Sequence, residues 1–127
     1  MAYMLLVVEK VGDRATRSER EGQVLYDRMV QFSAELKERG LLTLSQSLKT
    51  DAAGVRVTKS GERSIVRDGP FAEAKEMIGG FLMLTCATRE QAIGIARECP
   101  AAEWATIEVR ELGPCFQSDG PGVEERR

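Results

Sequence analysis

Histidine is missing from this 127-residue chain altogether. That absence removes imidazole bases, Ser-His-Asp and Cys-His arrangements, and imidazole metal ligands. Acid–base chemistry must then come from Asp, Glu, Lys, Tyr or Cys. Cysteine is scarce: Cys86, Cys99 and Cys115 are an odd set at wide spacing with no C-x-x-C pair. The pattern speaks against a disulfide framework and against zinc, and reads as small buried hydrophobes in a reducing compartment. Charge of one sign is not in excess either, with 18 basic against 20 acidic residues. This balance supplies no electrostatic reason for a nucleic-acid or membrane-surface partner. The N-terminal apolar run Tyr3–Val8 lacks a basic flank and stops at Glu9, so it predicts neither a signal peptide nor a membrane span. The expectation is a cytoplasmic protein with no metal, no cofactor, and no membrane or nucleic-acid partner.

What is present suffices for a packed core. Hydrophobic residues make up 43% and charged residues 30% of a chain of one-domain length. Tyr3–Glu9 reads as a strand ended by Gly12-Asp13. Ser18-Glu19-Arg20-Glu21 is a capping box, and Leu25, Met29, Phe32 and Leu36 form one helical stripe closed by Gly40. Leu41–Lys49 reads as a second strand with Leu42, Leu44 and Leu48 on one face. Val55–Val57 and Ser64–Val66 flank Ser60-Gly61 as a hairpin. Ala72–Met77 holds strong helix formers and predicts a turn or two of helix stopped by Gly79-Gly80. Phe81–Cys86 is the next strand. Thr88–Gln91 opens a helix through Glu98, with Ala92, Ile95, Ala96 and Cys99 as its apolar side, and Ala105–Leu112 is the last strand. Residues 117–127 read as a mobile polar tail, leaving 1–116 as one domain. The order predicts an α+β fold, a ferredoxin-like split βαβ with an inserted β-hairpin.

Two helices cover one face of a four-stranded sheet, and the other face should then alternate to polar residues. It does not: Met4, Leu6 and Val8 are apolar alongside Leu5 and Val7, and Phe81 and Met83 alongside Leu82 and Leu84. An uncovered face of that kind would be a large apolar patch. A second copy of the sheet is the simplest cover, which predicts a homodimer; the competing cover is the hairpin together with the Phe71–Met77 segment.

The segment Asp68–Glu76, DGPFAEAKE, packs a turn, an aromatic ring and three acids around one lysine. Pro70 suits the first position of a helix, Asp68 the cap before it, and Phe71 a core anchor. A cap and solvated charges account for these residues one by one; the functional alternative is a turn that walls a cleft and offers carboxylates and an ammonium to a small ligand. The segment resembles the hallmark of the DGPF-motif branch of the YCII-related proteins, DGPFAETKE followed by a G-G strand. It departs at Ala74, where threonine is usual. The start YMLLVV, the helix end Glu98-Cys99-Pro100 and the strand Ile107–Arg110 match as well, so the resemblance covers residues 3–112. It implies a dimeric α/β barrel and an association with extracytoplasmic-function sigma factors. Related proteins use a His–Asp pair, which a chain without histidine cannot inherit.

In the last strand Ile107 and Val109 should face the helices, while Trp104, Thr106, Glu108 and Arg110 face the dimer side. The ligand-binding candidates are therefore Asp68, Lys75, Glu76, Trp104, Glu108 and Arg110, lining a cleft for a small anionic ligand, with a plain Glu108–Arg110 cross-strand pair as the competing reading. The carboxylates that qualify for acid–base work are Asp68, Glu73 and Glu108. Three function classes follow: a small-molecule-binding or regulatory module, a cofactor-independent isomerase, lyase or oxygenase, and a purely structural dimer. No nucleophile–base pair is visible, which ranks binding above catalysis.

Overall fold

Strand β1 (Ala2–Lys10) alternates: Tyr3, Leu5, Val7 and Glu9 are buried, while Met4, Leu6 and Val8 are half-buried. The computed structural model, which describes residues 2–116, builds the domain around that alternation. The expected tail, 117–127, lies outside the described residues. Helix α1 (Glu19–Glu38) follows a 3-10 turn, Asp13–Thr16, and both halves of its capping box form between Ser18 and Glu21. Gly40 takes the left-handed conformation, φ 71°, that ends such a helix at low steric cost. Next come β2 (Leu42–Ser47), the hairpin strands β3 (Val55–Ser60) and β4 (Arg63–Asp68), and β5 (Glu76–Thr85). Helix α2 (Arg89–Glu98) and β6 (Thr106–Glu111) complete the order.

The main sheet is antiparallel in the order β2-β5-β1-β6, and β3-β4 form a separate sheet. Each helix crosses between two strands that have a third strand between them, which defines the ferredoxin-like split βαβ fold. Leu5, Leu36, Leu82 and Leu84 are fully buried between the sheet and the helices, with Phe32, Ile95 and Cys99 around them. Burial raises the Cys86 and Cys99 thiols above their usual range, as expected of inert core cysteines, whereas Cys115, expected to be buried as well, is exposed after the last strand. Among the described residues no helix is long and apolar enough to cross a membrane, and no group of three His, Cys, Asp or Glu is placed to hold a metal.

Four expectations need correction. Ala72–Met77 does not form a helix: β5 begins at Glu76, because the backbone there pairs with Lys10 and Glu9 of β1. Gly79 and Gly80 therefore lie inside a strand, at a register shift opposite Val7 and Val8. Asp68 caps nothing; it ends β4 opposite Val55, and Asp51 is the carboxylate that accepts the Phe71 N–H, at 3.2 Å. In β2 a register shift puts Leu42 opposite Leu84 on the helix side and Leu44 opposite Met83 on the other. The Thr88 cap forms, but the Gln91 side chain reaches Ala87 N instead of closing a box on Thr88.

Leu84 is fully buried at the centre of the sheet. Leu84→Ala should lower stability by about 2–5 kcal/mol through lost burial and a residual cavity. Denaturant unfolding should show the midpoint falling with little change in slope.

Candidate functional site

The helix side of the sheet is filled unevenly. Toward the end of β1 that carries Glu9, the helix-facing positions of the neighbouring strands are Ser45, Ser47 and Gly80. Ser45 reaches α1 only through its hydroxyl, which donates to Ser33 Oγ at 3.1 Å, and Ser47 and Gly80 put no bulk under the helix. In α1 only Phe32 and Leu36, both in its C-terminal half, are buried; Leu25 and Met29 of the expected stripe are half-buried, and Tyr26 and Val30 are exposed. The space left under the N-terminal half is a cavity of about 530 Å³. Its apolar body is Val7, Leu25, Met29, Val30, Leu82 and Trp104, and its polar end carries Arg17, Ser18, Ser45 and Ser47.

Glu9 sits in the wall of this cavity, 7% exposed, on the face it shares with Leu5 and Val7. A carboxylate this deep needs partners. Arg14 supplies them: Gly12, at φ 96°, and the turn after it bring the guanidinium back under the strand. Arg14 Nε donates to Glu9 Oε1 at 2.8 Å and Nη2 to Glu9 Oε2 at 3.0 Å. The same guanidinium donates to Leu48 O at 2.7 Å and Gly79 O at 3.1 Å. One side chain thus ties β1, β5 and the residue after β2 together. A Cβ on Gly79 would collide with the Glu9 carboxylate, so glycine is what lets the pair close. Arg17 lines the cavity half-exposed and makes no ion pair or side-chain hydrogen bond among the described residues.

The residues expected to form one site are divided between regions. Trp104 does not share the face of Glu108 and Arg110. The 3-10 turn Pro100–Glu103 breaks the alternation ahead of β6, and the indole lies on the helix side, in the wall of the cavity, with Arg28 5.4 Å from its ring centre. Glu108 and Arg110 lie on the open side of the sheet as an exposed ion pair at 3.1 Å, not a buried one. Glu76 and Glu108 line a second cavity, of about 680 Å³, together with Phe71, Arg56 and Asp51. Asp68, Lys75 and Arg110 line neither cavity, and the Lys75 side chain is exposed. Glu73 accepts from Arg56 at 3.1 Å and from Arg67. Its own backbone N–H and the Arg67 guanidinium hold its carboxyl below the usual range, and Arg56 adds to this. That contact therefore contributes above the ordinary carboxylate range and is lost as pH falls through the lowered value.

Glu9, Arg14, Arg17 and the small residues of β2 and β5 were not among the expected site residues. The readable signal is Glu9 itself, a carboxylate in phase with Leu5 and Val7 on the core side of a strand.

A ferredoxin-like domain with a cavity between its first helix and its sheet is the class that fold and geometry define. Residues 1–115 match the model of the YCII-related domain. An uncharacterised protein of Rhizobium meliloti is 30% identical over 114 residues, covering 88% of this chain and 92% of that protein. The chain belongs to the YCII-related domain family. Among solved structures, 5-chloro-2-hydroxyhydroquinone dehydrochlorinase from Burkholderia phenoliruptrix, in complex with 2,5-dihydroxybenzoquinone, superposes with a TM-score of 0.54 at 12% identity. The match covers 89% of this chain and 94% of that one and shows the shared fold.

Gly79→Ala should destabilise the protein by about 1–3 kcal/mol, because the added methyl displaces the buried Glu9 carboxylate from Arg14. Gly22→Ala, in the same cavity wall but with open space at its Cβ, should instead be neutral or stabilising by up to about 1 kcal/mol. Parallel melts of the two variants check the contrast.

Proposed function

We propose that the chain binds a small, flat, anionic molecule in the cavity under α1, and that it does so as a homodimer joined through the open sheet face. The observation that carries the reading is the unfilled cavity of about 530 Å³ with an apolar body and a polar end. That size and lining suit a small-molecule site. Trp104 offers aromatic surface to a ring, and the Arg17 guanidinium suits a carboxylate or phenolate. The structural neighbour's ligand, 2,5-dihydroxybenzoquinone, is a molecule of this class. Binding is favoured over catalysis because Glu9, the buried carboxylate in the wall, is held bidentate by Arg14 and is not free to act as a base.

The dimer rests on the face opposite the helices, where Met4, Leu6, Val8, Phe81 and Met83 are half-buried and Leu44 and Ile78 exposed, and where the base of the hairpin borders Val8 and Ile78. Membership of the DGPF-motif branch rests on DGPFAEAKE. With it come a cytoplasmic location and service to an extracytoplasmic-function sigma factor as the regulatory setting of the ligand.

The test uses 2,5-dihydroxybenzoquinone as probe and follows the melting temperature and the fluorescence of Trp104, the single tryptophan. The probe should raise the melting temperature and quench Trp104 with saturation. Arg17→Ala should weaken binding about tenfold, the size expected for a lost charge-assisted hydrogen bond. Gly22→Phe should abolish binding by filling the cavity mouth while the protein stays folded. Unchanged binding by Gly22→Phe, or no response of the unmodified protein, contradicts the reading.

A further inference from the structure

The hairpin of β3 and β4 stands apart from the main sheet. Every residue of both strands is exposed, with Val55 at 54%, Val57 at 60% and Val66 at 63%. A two-stranded hairpin left to itself is marginally stable in water. One of its faces is engaged by its own chain: Arg56 and Arg67 stack on Phe71, at 3.9 and 5.4 Å from the ring centre, and both bond Glu73. The opposite face presents Val55 and the cross-strand pair Val57–Val66, all exposed.

We infer that this valine face docks on a second copy of the chain, so that each protomer's hairpin clasps its partner. The inference deepens the dimer reading above and rests on it. Two observations support a second copy as the occupant. The first is continuity. The cavity of about 680 Å³ is walled by Val8, Ile78 and Glu108 of the open sheet face and by Gly54, Arg56 and Phe71 at the hairpin's base. A copy seated on the open face therefore lies over that cavity and beside the hairpin, and the cavity is closed only in the dimer. The second is area. Four strands of about six residues give a face of roughly 20 by 20 Å, about 400 Å². A stable pair buries about 800 Å² on each side. The two hairpin strands enlarge the contact by about half.

The test is sedimentation equilibrium of the full chain and of Leu6→Glu, Val57→Glu and Thr58→Glu, with circular dichroism confirming that each stays folded. The unmodified chain should be a dimer at micromolar concentration. Leu6→Glu and Val57→Glu should each raise the dimer dissociation constant at least tenfold. Thr58→Glu, next in sequence but on the face toward Phe71, should leave it unchanged. A dimer broken by Leu6→Glu but indifferent to Val57→Glu overturns the clasp and leaves the sheet-face dimer standing. Equal loss in Val57→Glu and Thr58→Glu overturns the valine face as the contact. A monomeric unmodified chain overturns both readings and gives the valine face to a different partner.

Discussion

The ion pair between Glu9 and Arg14 is the interaction on which this end of the domain depends. It places a carboxylate where a core side chain would otherwise sit, and it uses four guanidinium hydrogen bonds to do so. Glu9 is buried while the Arg14 side chain keeps 30% of its surface exposed, so the costly change is loss of Arg14, which leaves a buried carboxylate unpaired at up to about 3–5 kcal/mol. Its structural effect is clearer than its energy. The guanidinium occupies the junction of three strands and demands glycine at position 79. With Gly80, Ser45 and Ser47 beside it, the sheet offers the N-terminal half of α1 little bulk to rest on. The cavity is thus a consequence of the pair and its small neighbours, and the half-buried state of Leu25 and Met29 follows from it.

The two faces of the sheet then divide the work. The helix side holds a packed core at the end near Leu5 and Leu84, and the cavity at the end near Glu9. The open side holds an apolar centre bordered by Glu108 and Arg110. In the proposed reading the first face takes the ligand and the second takes the partner. Met4, Leu6 and Val8 alternate with Tyr3, Leu5 and Val7 along one strand, so ligand binding and dimer contact are a single residue apart across the backbone.

Much of the fold was legible because two local rules carry it. The short continuous apolar runs Tyr3–Val8 and Phe81–Leu84, and the Ser18 and Thr88 caps, mark strands and helices from the sequence itself. The segment Ala72–Met77 was misread because helix propensity is a weak prior and pairing with β1 overrides it. Gly79-Gly80 suggested a helix stop; their meaning is the close approach of Glu9, visible only once the strands are paired. The site was less legible. Alternation run back from Thr106 put Trp104 on the wrong side, since a 3-10 turn intervenes. The Asp68–Glu76 motif drew the eye to charges that are largely exposed. The group that shapes the cavity, Glu9, was in plain view at the end of an apolar run, and its phase placed it in the core. Its partner Arg14 could not be named without the turn that brings it back.

The central claim is that the N-terminal half of α1 bridges unfilled space while its C-terminal half rests on the core. Hydrogen exchange measures this directly, since local opening is easiest where few apolar contacts hold an element. In the ligand-free protein the amides of residues 23–30 should exchange at least tenfold faster than those of residues 32–38. Uniform protection along the whole helix would contradict the account.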